Sequence, residues 1–229
     1  MVSKMKPKVA IILPVYNVIE YLPSMIEALY DSTAFPFKLI IVDGFSTDGT
    51  EKYIKDLFIL KDNVEYYQIK RKGVSNAINF GIKKAGNIDI YLTQADVKHF
   101  KLYGRDWLLD MYKKARKKNI GLVIGRGGGG ISGSDFLEGC MWAGTWNTYI
   151  PKRTIKKVGL FDESLGPGDD IDYSYRVKLA GLKGFMFDFW VQHHRLINHG
   201  DSDDGKKIQK MGKLFRKKWR LGEFQKKKK

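Results

Sequence analysis

The feature that most limits how this chain can fold is a rhythm. Strand-like and helix-like stretches alternate four times within the first ~95 residues, and that alternation calls for a parallel sheet with helices on both faces. Val9-Ala10-Ile11-Ile12-Leu13 is a short apolar run ended by Pro14, the pattern of a strand buried on both sides. A helix is predicted over about 19–30, with Leu22, Ile26 and Leu29 on one face. Residues 38–43 read as a second strand. The turn-rich run Gly44-Phe45-Ser46-Thr47-Asp48-Gly49-Thr50 can then cap a helix reaching about Leu60. A strand over 64–68, a helix over 74–85 closed by Gly86 and a strand over 88–93 complete the series.

The second half is less regular. A helix is predicted over 105–118, a strand over 122–124, a helix from Asp169-Asp170 to Ala180, and a strand over 185–191 ending at His193-His194. Between them, Gly125 to Gly133 is too rich in glycine to hold one conformation without a partner, which suits a lid. The expected class is α/β, a mostly parallel central sheet with helices on both faces. One domain spans 1–204 and a separate tail spans 205–229. In that tail Ile208, Met211, Phe215 and Trp219 fall at spacings of three, four and four, an apolar helical stripe among lysines.

Charge is unevenly spread. The net charge is +16, but residues 205–229 hold twelve Lys or Arg against Glu223 alone, so the other 204 residues carry only +5. Such a tail suits an anionic membrane surface or DNA as its partner, with a merely solubilising terminus as the plainer reading. With 43% apolar residues the chain can bury a core, so wholesale disorder is excluded. No apolar run approaches the roughly 20 residues of a membrane-spanning helix, and Met1 to Pro7 lacks the apolar core of a signal peptide. Cys140 is the only cysteine, which rules out an internal disulfide and a cysteine-only zinc site and points to a reducing cytoplasm.

Ligands of parallel sheets sit at the carboxyl ends of strands. Three such ends carry distinctive polar residues: Pro14-Val15-Tyr16-Asn17, Asp43 with its Ser/Thr/Asp loop, and Gln94-Ala95-Asp96. Each alone is an ordinary cap or turn former. Together on one edge they would form a pocket for a nucleotide, provided that a divalent cation bridges Asp96 to the phosphates. The glycine run is no P-loop, since it lacks the Lys-Ser/Thr that follows one.

These pieces resemble the nucleotide-binding half of family 2 glycosyltransferases with the GT-A fold: Ile12 to Asn17, Ile41 to Asp48, Gly73 to Asn79, and Gln94-Ala95-Asp96. Val158-Gly159-Leu160-Phe161-Asp162-Glu163, with Asp169-Asp170-Ile171-Asp172 and Arg176, resembles that family's acceptor-side motif. The resemblance covers roughly 8–195. It implies a nucleotide-binding half over about 8–97, an acceptor half over about 98–204, and inverting transfer of a sugar from a nucleoside diphosphate, UDP by default. It places Asp170 as general base and Asp96 as the last carboxylate of a metal motif for Mn²⁺ or Mg²⁺. Pro14, Tyr16, Asn17, Asp43, Arg71, Gly73, Asn79, Gln94 and Ala95 then fall on the donor side.

Three departures stand out. Gln94 occupies the place of the first metal-motif acid, so His193 is expected as a further ligand, with His194 and His199 as rivals. Gly44 stands where relatives carry an aspartate that reads the base, and Asp169 replaces the commoner Glu. Trp142, Trp146, Asp169 and Asp172 are expected on the acceptor side, the indoles because aromatic faces stack on sugar rings. The acceptor expected first is a glycan or lipid-linked glycan. A hydroxylated DNA base is a second possibility, and a non-catalytic binding module with the same fold is a third.

Overall fold

A computed structural model describes residues 6–128, 136–137, 140–141, 143–166, 169–193 and 213–220. The first half follows the expected alternation: β1 (Val9–Val15), α1 (Leu22–Ser32), β2 (Phe37–Asp43), α2 (Thr50–Leu60), β3 (Val64–Gln68), α3 (Val74–Ala85) and β4 (Asp89–Thr93). The second half adds β5 (Val97–His99), α4 (Trp107–Ala115), β6 (Ile120–Gly128), β7 (Phe136–Leu137) and β8 (Cys140–Met141). After these come β9 (Asn147–Ile150), α5 (Lys152–Val158), α6 (Asp169–Leu179) and β10 (Lys183–His193).

Among the described residues, eight strands form one sheet in the order β3-β2-β1-β4-β9-β6-β10-β5. The pairs β3/β2, β2/β1, β1/β4 and β6/β10 are parallel, while β9 runs antiparallel between β4 and β6 and β5 is antiparallel to β10. The α/β class and mostly parallel sheet are therefore as expected. Side chains of β1 alternate between two cores. Val9, Ile11 and Leu13 pack with Leu22, Met25 and Leu29 of α1, Ile54 of α2 and Trp107 of α4. Ala10 and Ile12 face Ile78 and Ile82 of α3 and Tyr173 and Val177 of α6. Helices thus cover both faces.

Boundaries moved where side chains capture backbone groups. The first helix starts at Leu22, not near 19, because the N–H groups of Val18 and Ile19 donate to Thr50 Oγ1 (2.9 Å) and Asp48 Oδ2 (3.0 Å). The helix expected from 105 begins at Trp107, since the Asp106 carboxylate caps it by accepting from Leu108 N and Leu109 N. β9 and α5 were not anticipated. The start of the glycine run also differs from expectation: Gly125 to Gly128 belong to β6, and a Cβ on Gly125 would lie 2.3 Å from Asn147 Nδ2. The glycine is there to let Asn147 approach. Residues 129–133, the remainder of the expected lid, lie outside the described residues.

A buried polar chain links the middle of the sheet. Tyr91 OH donates to Asn147 Oδ1 (2.7 Å), so its oxygen accepts from His99 Nε2–H (2.9 Å). His99 lies in an aromatic stack with Trp107 and Phe189, and burial pushes its pKa down to about 3. An imidazole neutral in the folded state but protonated in the unfolded chain destabilises the fold as pH falls below about 6.5, by up to ~1.4 kcal/mol per pH unit. Urea titrations at pH 7, 5.5 and 4.5 are expected to show this loss, and His99→Phe to remove most of it. Equal slopes for both proteins would contradict the assignment.

Candidate active site

The parallel strands bring the carboxyl ends of β1, β2, β3, β4, β6 and β10 to one edge of the sheet. Two loops there are tied to each other. Asn17, at a positive φ of 52°, donates its N–H to Ser46 Oγ (2.9 Å), and its side-chain oxygen accepts from Thr47 N (2.8 Å). Gly44 N donates to Val15 O across the same gap (3.0 Å). Pro14 is paired with Val42 in the β1/β2 ladder and half-buried. Asp43, fully buried, accepts from Ser46 N and Oγ (3.0 and 2.6 Å), Tyr66 OH (2.9 Å) and Gln68 Nε2 (3.2 Å). Its contacts are thus to the protein, where a nucleoside contact was expected. Tyr66 and Gln68 escaped sequence reading. The signal was their spacing of two along β3, useful only once Asp43 is known to pair with Gln68.

The Arg71 guanidinium lies over the Tyr16 ring, 4.2 Å from its centre. This explains Gly44: a Cβ there would sit 3.3 Å from Tyr16 Cδ2 and 3.5 Å from Arg71 Cβ, so a side chain would press on the stack. Phe45 follows with a left-handed φ of 63° and an exposed ring, an uncommon conformation for an aromatic residue. Gly73, with φ of 116°, turns the chain into α3.

Further along the edge, Asp96 Oδ2 lies 3.4 Å from His193 Nε2, and the Trp146 ring stacks on His193 at 4.9 Å. Gln94 Nε2 donates to Thr145 Oγ1 (3.3 Å), and Ala95 is buried. Asp96, Tyr21, Met25 and Lys98 border a cavity of about 340 Å³. A larger groove of about 470 Å³ lies elsewhere, between α4 and β10. One carboxylate and one imidazole side by side form a mixed O/N donor set that suits Mn²⁺, with further oxygens from a diphosphate. Among the described residues no group of three or more His, Cys, Asp or Glu could hold a metal ion alone. Trp142, His194 and His199 lie outside the described residues.

The acidic start of α6 comes to the same edge. Asp169 is buried and accepts from Ser75 Oγ at the start of α3; burial and the charge of Asp172 raise its pKa, against the Ser75 bond. Ser174 Oγ donates to Asp170 O (2.7 Å) and accepts from Ala143 N (3.0 Å), which joins α6 to the segment that holds Gln94. Asp170 itself is partly exposed.

Two expectations are corrected. Asp172 is fully buried and bonded to Arg176 Nε (2.8 Å), Lys218 Nζ (2.7 Å) and Trp219 Nε1 (2.9 Å), so it packs the helix and is not open to an acceptor. The Asn79 amide donates to Phe161 O and Glu163 Oε1 and accepts from Phe161 N, so it pins the 161–163 segment in place of the expected donor contact. The tail also differs. Residues 213–219 are helical, and Phe215 and Trp219 pack on Ile171 and Tyr175 of α6, so this part of the stripe faces the protein and not a bilayer. Ile208 and Met211 lie outside the described residues.

The model of glycosyl transferase family 2 matches residues 10–165, most of the chain. The chain belongs to that family. Relatives of this family 2 chain include an uncharacterized glycosyltransferase of Rickettsia bellii, 34% identical over 90 residues, 39% of this chain and 13% of that protein. Chondroitin synthase of Escherichia coli is 23% identical over 218 residues, 90% of this chain and 31% of the synthase. The chain spans 13% to 62% of the length of such relatives. In fold it is similar to the mannosyltransferase PcManGT from Pyrobaculum calidifontis in complex with GDP-Man and Mn²⁺. That match has a TM-score of 0.76 at 18% identity, over 96% of this chain and 66% of that one. It is likewise similar to S. aureus TarS 1-349 in complex with UDP-GlcNAc, with a TM-score of 0.65 at 17% identity, over 89% and 65% of the two chains. The GT-A architecture expected for the family is the one found.

The reassignment of Asn79 has a measurable consequence. Asn79→Ala strips the backbone N–H and C=O of Phe161 of partners and is expected to cost about 2–3 kcal/mol of stability. Nucleotide affinity of the folded fraction should stay within about threefold. A large affinity loss at unchanged stability, by calorimetry and urea unfolding, would restore the donor-side reading.

Proposed function

We propose that this chain transfers a sugar from a nucleoside-diphosphate donor to an acceptor hydroxyl with inversion, using Asp170 as general base. The observation that carries the reading is the position of α6: Ser75 ties its first residue to the start of α3, and Ser174 ties its second turn to the segment bonded to Gln94. The base and the Gln94-Ala95-Asp96 strand end therefore share one edge of the sheet.

A single displacement makes two demands. The attacking hydroxyl must lose its proton as the bond to the anomeric carbon forms, and the departing diphosphate needs its growing charge balanced. Asp170 accepts the proton at its carboxylate. Arg71, braced on Tyr16, offers a guanidinium to the diphosphate. Asp96 and His193 would hold Mn²⁺ or Mg²⁺, which when bound supplies positive charge to the leaving phosphates. The complexes of fold neighbours with GDP-Man and Mn²⁺, with UDP-GlcNAc, and of GalNAc-T7 with UDP, GalNAc and Mn²⁺ support a nucleotide-sugar donor and a divalent ion. With Gly44 giving no carboxylate to read the base, UDP remains the default donor nucleotide and GDP the competitor. A glycan acceptor is favoured by relatives such as chondroitin synthase. Trp146, half-buried and stacked on His193, is the described aromatic residue that could contact such a sugar.

Asp170→Asn is expected to lower kcat by about 10²–10⁴-fold while donor affinity stays within about threefold, read by nucleoside diphosphate release and calorimetry. Retained turnover would overturn the role of Asp170. Asp96→Ala should abolish any strengthening of nucleotide binding by Mn²⁺, and the same strengthening in variant and parent would move the metal elsewhere.

A further inference from the structure

Two of the three carboxylates that open α6 are buried, and a buried carboxylate needs donors on both oxygens. Asp172 Oδ2 takes Arg176 Nε (2.8 Å), whose other nitrogens are committed to Val158 O and Leu160 O (2.8 and 2.9 Å). Asp172 Oδ1 takes Lys218 Nζ (2.7 Å) and Trp219 Nε1 (2.9 Å), both from the tail. Lys218 also reaches Asp162 Oδ2 (2.7 Å), so one ammonium bridges α6 to the loop after α5. The tail is seated by apolar contact as well. Phe215 is 1% exposed, and its ring and that of Trp219 meet Tyr175 edge-on at 5.4 and 5.0 Å.

Residues two apart on a helix point about 200° from each other. Asp170 and Asp172 therefore leave α6 on opposite sides, and the tail grips the helix from behind the carboxylate assigned as base. Of the ties described on the first two turns of α6, the Ser75 and Ala143 bonds come from the catalytic domain itself. The tie to the back comes from the tail and Arg176.

We propose that Lys218 and Trp219 are positioning residues, a clamp through which the C-terminal segment holds the start of α6 so that Asp170 faces the donor. This rests on the reading of Asp170 as base. Its physical basis is the carboxylate of Asp172: without Lys218 one buried oxygen keeps only an indole N–H, and the first turn must shift or admit water to solvate it. A displacement of about 1 Å at a reacting group can cost on the order of 100-fold in rate. The positive tail thus gains a role inside the molecule. The Lys218 interaction also leaves its mark on Asp162, whose pKa is held down to about 2, chiefly by that ammonium.

The test uses the full chain with Lys218→Met, Lys218→Arg and Trp219→Phe, the last keeping a ring while removing the N–H. Hydrogen exchange by mass spectrometry reads the backbone of 169–175, with β1 and β4 as internal controls. Release of UDP from UDP-N-acetylglucosamine and of GDP from GDP-mannose, with Mn²⁺, reads turnover. In Lys218→Met, exchange at 169–175 is expected to quicken at least tenfold with β1 and β4 unchanged. kcat should fall about 10- to 100-fold with donor KM within threefold, and Lys218→Arg should recover most of both. Unchanged exchange overturns the clamp, and quickened exchange with parental kcat overturns its positioning role. Should Lys218→Met not fold, as judged by circular dichroism, Trp219→Phe carries the same decision. Turnover that survives Asp170→Asn sinks the assignment of the base, while the exchange measurement still decides the clamp.

Discussion

Buried negative charge is the constraint around which this molecule is arranged. Asp169, Asp170 and Asp172 crowd one turn at the start of α6, and the helix dipole contributes only about 0.3–1 kcal/mol toward each such charge. That falls far short of what burying Asp169 and Asp172 requires. The fold answers with donors drawn from distant parts of the chain: Ser75 from α3, Arg176 from α6 itself, Lys218 and Trp219 from the tail. Charge compensation thereby does architectural work, because each donor brings its own segment to the edge of the sheet. The third acid, Asp170, is left partly exposed.

The loops after β1 and β2 follow the same logic with hydrogen bonds in place of ion pairs. Asp43 gathers Ser46, Tyr66 and Gln68 about a carboxylate with no exposed surface. Asn17, Ser46 and Thr47 then bind the two loops reciprocally. Loops so cross-linked lose little further entropy when a ligand arrives, which is the advantage of preorganisation. The Arg71–Tyr16 stack belongs to this frame, since a guanidinium braced on a ring is held in one orientation.

Much of this was legible beforehand because it is local. Apolar runs, Pro14, Gly86 and the polar strand ends carry their information within a few residues, and α2, β3 and α3 lie where periodicity put them. Family resemblance suggests Asp96 and His193, 97 positions apart, as joint metal ligands, and the fold brings their side chains to 3.4 Å from each other. What escaped reading was short or relational. β9 is only four residues long and sits antiparallel within the sheet, too brief for periodicity to register. The commitments of Asn79 to Phe161 and of Asp172 to Lys218 depend on contacts 82 and 46 residues distant, to which no spacing rule applies. The apolar stripe of the tail is legible, but the sequence leaves its partner open among a membrane, a nucleic acid, another subunit and its own domain: an amphipathic face records that it must be covered and is silent about what covers it.

The amino-acid sequence by itself determined the alternation of strand and helix, the placing of polar residues at strand ends and the acidic opening of α6, since propensity, period and capping act over a turn or two of chain. Tertiary structure alone decided which of those acids are buried and which one stays accessible, that Arg71 lies on Tyr16, and that residues 213–220 dock on α6. Those outcomes depend on desolvation and on donors from remote segments, and neither exists until the chain has folded.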